Sequence, residues 1–94
     1  MRERFFGADA DTFPMLTLAR ESGLRGGTYP CAFNAANEVA VDAFLGGGIG
    51  FLEIAETVER TLDTVSGAPA GDLDELVRAD AEARTVAERA LQPA

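Results

Sequence analysis

The chain contains no histidine, no tryptophan and no lysine, and only one cysteine, Cys31. Without histidine and with a lone thiol, it can build neither a Cys/His zinc cluster nor an internal disulfide. Long apolar runs are also missing. Charge or glycine interrupts every stretch well before the roughly 20 residues that a membrane span requires, and Met1-Arg2-Glu3-Arg4 is not followed by an apolar signal core. A cytoplasmic protein is expected. Positive charge is scarce: eight basic residues, all arginine, stand against sixteen acidic ones, giving a net charge of -8 and a pI near 4.3. Such a surface is repelled by phosphate backbones and anionic lipid, so neither nucleic acid nor membrane is an expected partner. With 94 residues there is room for one small domain, which buries about two thirds of its unfolded surface and has a narrow stability margin.

What is present has helical period throughout, with no strand-like alternation and no internal repeat. Residues 1–11 show neither period and read as an arm or linker end, leaving 12–94 as a helical bundle domain. Thr12 and Pro14 mark a helix start, and Met15, Leu16, Leu18 and Ala19 form its apolar stripe before Gly23. Gly23, Gly26 and Gly27 punctuate a loop, and Pro30 opens a second helix over about 31–45. This helix is apolar nearly all round. Ala32, Ala36, Ala40 and Ala43 line one side and Phe33, Val41, Phe44 and Leu45 another, with only Asn34, Asn37, Glu38 and Asp42 polar, so it is expected at the centre. Gly46-Gly47-Gly48 ends it.

Phe51, Ile54, Val58, Leu62 and Val65 recur at helical spacing as an inward stripe, with Glu53, Glu56, Glu59, Arg60 and Asp63 turned elsewhere. Asp72 followed by Glu75 reads as a capping box opening a last helical region. There Leu73, Leu76 and Val77 are expected to face inward, followed by Ala83, Val86, Ala87, Ala90 and Leu91. The apolar face shifts near Asp80, which predicts a break at that point. Arg78/Glu82, Asp80/Arg84 and Arg84/Glu88 are spaced for ion pairs outside. The fold class is therefore all-α, a small bundle of about four helices.

The chemically suggestive residues are Asn34, Asn37 and Glu38, which share one patch of the second helix at i, i+3 and i+4. Asn34 can donate to the Glu38 carboxylate. Burying such groups unpaired costs on the order of 1–3 kcal/mol each, so loop backbone from residues 23–30, the end of another helix or a neighbouring domain is expected to satisfy them, and the leading reading is a structural motif, a hydrogen-bonded staple from helix to loop. A contact to substrate or cofactor is the competing reading. Catalysis is not assigned, because no histidine, cysteine or lysine stands beside the carboxylate as a tuned acid–base partner. Glu38 and Asp42 on one helix are more often a solvated edge than an Mg²⁺ site. Gly46-Gly47-Gly48-Ile49-Gly50 follows a helix and lacks a lysine, so it fits neither a phosphate loop nor a dinucleotide fingerprint. Cys31, with no basic neighbour in sequence, reads as a small packed residue.

Phe13-Pro14, Leu18-Ala19, Gly26-Gly27-Thr28, the run from Asn34 to Leu45, Ile49-Gly50-Phe51 with Ile54, Val58 and Leu62, and Asp80-Ala81-Glu82-Ala83-Arg84 together resemble one family over about residues 13–88. It is the helical C-terminal domain of 1-deoxy-D-xylulose 5-phosphate reductoisomerase. The resemblance implies a parent homodimer of the methylerythritol phosphate route to isoprenoids, an NADP-dependent oxidoreductase that rearranges and then reduces 1-deoxy-D-xylulose 5-phosphate to 2-C-methyl-D-erythritol 4-phosphate. NADPH and Mg²⁺ or Mn²⁺ would be held by upstream domains, and this bundle would support the catalytic domain as its partner. None of the family's cofactor, metal or phosphate motifs falls on the matching positions, so no catalytic, cofactor-binding or metal residue is carried over. This chain alone is expected to bind no cofactor and to be inactive. Two alternatives are a stand-alone helical interaction module and an acidic carrier protein. The second needs a serine at a helix start, whereas Ser22 lies at a predicted helix end and Ser66 in a loop.

Overall fold

A computed structural model describes residues 14–92 of the chain, and the 1–11 segment therefore lies outside the described residues. Four α-helices follow one another: α1 (Pro14–Arg25), α2 (Tyr29–Leu45), α3 (Phe51–Thr64) and α4 (Leu73–Leu91), with no strand among the described residues. The all-α bundle and its central second helix are as expected from the periodicity. α2 and α3 each pack against every other helix, while α1 and α4 do not touch each other.

Small residues set how closely the helices approach. Ala32, Ala35, Ala36 and Ala40 of α2 and Ala83 and Ala87 of α4 are all at most 1 % exposed, and Leu18, Ile54, Val58 and Leu62 fill the remaining core. α3 carries the widest covered arc. Beyond its expected stripe, Thr57, Glu59 and Thr61 are buried as well, because partners close on it from three directions. The Thr61 hydroxyl is satisfied within the helix, donating to the Thr57 carbonyl at 2.8 Å.

Several expectations are corrected. α1 runs through Gly23 to Arg25, since the stop requires positive φ, which Gly26 (φ 73°) and Gly27 (φ 58°) supply. Its inward stripe is Met15, Leu18 and Ser22, leaving Leu16 and Ala19 outside. Phe51 is 72 % exposed, edge-to-face on the half-buried Phe44 at 5.8 Å. Leu45, Leu73 and Val77 are also exposed. No break occurs at Asp80. Once Leu73 and Val77 are placed outside, Leu76, Ala79, Ala83 and Ala87 form one continuous stripe, and the apparent shift of face disappears.

The end of the bundle near residue 28 is closed by a latch between two loops. The Thr28 N–H donates to the Ala68 carbonyl at 2.8 Å, and the Ala68 N–H donates to the Thr28 Oγ1 at 3.0 Å. Tyr29, with the Arg25 guanidinium 5.4 Å from its ring centre, donates through its hydroxyl to the Ser66 carbonyl at 3.4 Å. At the opposite end the turn over residues 46–50 joins α2 to α3. The Glu53 carboxylate there accepts from the Gly50 N–H at 2.6 Å, capping the first turn of α3.

Candidate functional site

Asn34, Asn37 and Glu38 lie on the face of α2 that runs beside α4, because the alanine stripe has turned inward and left this edge outside. Asn34 and Glu38 are exposed and Asn37 is half-buried. The patch is less covered than expected, since α1, α3 and α4 leave one sector of α2 open to solvent. Within it the Asn34 Nδ2 donates to the Glu38 Oε2 at 3.4 Å, the geometry that the i, i+4 spacing anticipates.

The second oxygen of Glu38 looks across to α4. Arg84 donates from Nη2 to Glu38 Oε1 at 2.7 Å and from Nε to Asp80 Oδ2 at 2.8 Å. The staple therefore joins two helices, whereas a helix-to-loop bond was expected. Its two carboxylates, acting first through the Asp80 hydrogen bond and then through that of Glu38, hold the guanidinium even more firmly protonated than usual. The Glu38–Arg84 contact spans 46 residues of sequence, and nothing in local spacing signals it. Arg78, expected to pair with Glu82, approaches Glu75 at 3.7 Å instead.

Chemically this arrangement is a closed charge-pairing unit. Both Glu38 oxygens and the Asp80 Oδ2 are engaged by the Asn34 amide and the Arg84 guanidinium, and Asp42, one turn further along α2, is exposed. Among the described residues there is no group of three or more His, Cys, Asp and Glu side chains able to hold a metal ion. These donors do not fit a divalent cation. The turn after α2 does not fit a dinucleotide phosphate either. Gly46 and Gly48 direct their N–H groups back to the Asp42 and Ala43 carbonyls, so these amides are engaged in stopping the helix. Cys31 is half-buried, and its thiol donates to the Leu76 carbonyl at 3.5 Å. Burial and then the nearby Asp80 charge push its pKa up, with Arg84 opposing, which disfavours the reactive thiolate. An open hollow of about 220 Å³ behind the latch has Thr28, Gly67, Ala68, Glu75, Arg78 and Glu82 in its lining, where the Arg78 guanidinium approaches the Glu75 carboxylate at 3.7 Å.

No helix among the described residues is long and apolar enough to cross a membrane. The model of the DXP reductoisomerase C-terminal domain family matches residues 2–86. Among curated proteins, the 1-deoxy-D-xylulose 5-phosphate reductoisomerase of Xanthomonas axonopodis pv. citri (strain 306) is 52% identical over 87 residues, covering 93% of this chain and 22% of that protein. The enzyme of that name from Citrifermentans bemidjiense is 42% identical over 87 residues, covering 93% and 23% respectively. Among solved structures, 1-deoxy-D-xylulose 5-phosphate reductoisomerase from Zymomonas mobilis in complex with NADPH superposes with a TM-score of 0.84 at 45% identity, over 94% of this chain and 23% of that one. The chain thus spans less than a quarter of the length of the relatives it matches.

Proposed function

Because the chain belongs to the DXP reductoisomerase C-terminal domain family, we propose that it works as the structural C-terminal bundle of a 1-deoxy-D-xylulose 5-phosphate reductoisomerase, an enzyme of isoprenoid biosynthesis. In this reading it packs beside the catalytic domain and contributes no catalytic residue. The observation that carries the proposal is the agreement of sequence and fold over nearly the whole chain with one stretch of a much longer enzyme. The closed Glu38–Arg84–Asp80 unit supports a scaffolding role, since it offers a substrate no free pair of acid and base. In this reading NADPH, named with the Zymomonas mobilis relative, and Mg²⁺ or Mn²⁺ are held by polypeptide outside the matched part, in keeping with the lack of a metal-ligand cluster among the described residues. The parent enzyme is, on the same reading, a homodimer of the cytoplasm.

The test is a graft. This chain replaces the matching C-terminal part of the Xanthomonas axonopodis enzyme, and NADPH oxidation with 1-deoxy-D-xylulose 5-phosphate is followed. Turnover within about tenfold of the parent is expected, the loss that a misplacement costing roughly 1.4 kcal/mol would cause. A folded graft without turnover refutes the reading. Calorimetry of the 94-residue chain with NADPH, and separately with Mn²⁺, checks the placement of sites elsewhere, and micromolar binding of either overturns it.

A further inference from the structure

The large apolar side chains left outside the core form three groups, and their surroundings differ. On α1, Leu16 and Leu24 stand with Arg20 and Glu21 between them. On α4, Leu73 and Val77 sit among Asp72, Asp74, Glu75 and Arg78. The third group lies where α2 passes into α3: Leu45 is 74 %, Phe51 72 % and Leu52 76 % exposed, and no charged residue occurs between Asp42 and Glu53. In a chain whose residues are 26% charged, this group holds the most large exposed apolar side chains of the three, bordered by Asp42 one turn before Leu45 and by Glu53 beside Leu52. Phe51 is also held in place, its ring edge-to-face on Phe44 and its backbone fixed by the Gly50–Glu53 cap. An ordered aromatic with exposed apolar neighbours suits the centre of an interface, with charged residues at its rim.

Resting on the function proposed above, we infer that the corner of Phe44, Leu45, Phe51 and Leu52 is the surface on which the rest of the enzyme polypeptide sits, through an apolar face of its own. The occupant follows from length. More than three quarters of each matched relative lies outside the aligned part, so a large body of the same polypeptide must meet this bundle somewhere. The two competing groups each offer two large exposed apolar side chains and no ordered aromatic, whereas the corner offers three with Phe51 among them.

The full-length graft also serves as the test, read by amide hydrogen exchange. The amides of Phe51 and Leu52 are the first two of a helix and have no acceptor within it, so slow exchange there reports cover from outside. We expect them protected in the graft, and the double substitution L45E/L52E to speed their exchange by about tenfold or more. The amides of Ala35 and Ala36 should stay protected in that variant, which shows that the bundle still folds; if it does not, L52S alone is read in the same way. L16E/L24E and L73E/V77E should leave Phe51 and Leu52 as they were. Fast exchange at these two amides in the unsubstituted graft, or their release by either control, overturns the proposal. So does a halving of sedimenting mass accompanying the release, which would assign the corner to a second copy. Turnover separates the two claims: a protected corner in an inactive graft counts against the function alone, and an unprotected corner in an active graft counts against the surface alone.

Discussion

Substituting alanine at two adjacent glycines isolates the rigidity of the loop latch. Gly26 and Gly27 both have positive φ, at 73° and 58°, so Gly26→Ala and Gly27→Ala share a conformational penalty of about 1–2 kcal/mol. Their surroundings differ sharply. A Cβ at residue 26 meets nothing within 4 Å, whereas at residue 27 it would overlap the backbone carbonyl of Ala68. That carbonyl cannot simply withdraw, because it accepts from the Thr28 N–H while the Ala68 N–H donates back to the Thr28 hydroxyl. Moving the loop away forfeits both bonds, at roughly 0.5–1.5 kcal/mol each. G27A should therefore cost about 2–5 kcal/mol in total and G26A about 1–2. For a domain of this size each kcal/mol is worth about 4–8 °C of melting temperature, so thermal unfolding by circular dichroism resolves the difference. Equal losses for the two variants would refute the argument, since they would show that the loop bearing Ala68 yields at no cost.

Four further outcomes follow from the same coordinates. Leu62→Ala, at a fully buried position of α3, should destabilise by about 2–5 kcal/mol in urea unfolding, the range for cavities left in a packed core. Asp72→Ala should cost about 1 kcal/mol in the same assay, because its Oδ1 accepts from the Glu75 N–H at 2.9 Å and caps α4. A double-mutant cycle of Glu38→Gln and Arg84→Met should show favourable coupling at low ionic strength that disappears at about 1 M salt, where the screening length falls to about 3 Å. Cys31 titrates above its ordinary 9.0, so folding favours the neutral thiol, and that contribution is complete below pH 9.0 and lost as pH rises through the folded value. Unfolding free energy should therefore fall above pH 9.0, and Cys31→Ala should flatten the fall.

The helix count, the capping residue Asp72, the glycine stop after Leu45 and the centrality of α2 were legible in the sequence because each depends on near neighbours: spacing, caps and conformational preference act within a few residues. The Asn34–Glu38 bond belongs to the same class. Apolar identity said that Leu16, Leu45, Phe51, Leu73 and Val77 favour cover, but not whether a partner helix stands over them. All five lie exposed, because α1 and α4 flank the α2–α3 pair without closing around it.

Sequence by itself determined that this chain forms four helices, which small residues allow close approach, and the family to which it belongs, since all of these are carried by order and spacing along the backbone. Only the tertiary structure decided that Arg84 meets Glu38, that Thr28 locks to Ala68 and that Glu59 is buried. Such pairings depend on how whole helices sit against one another, and that arrangement emerges when the summed packing of many side chains selects one geometry.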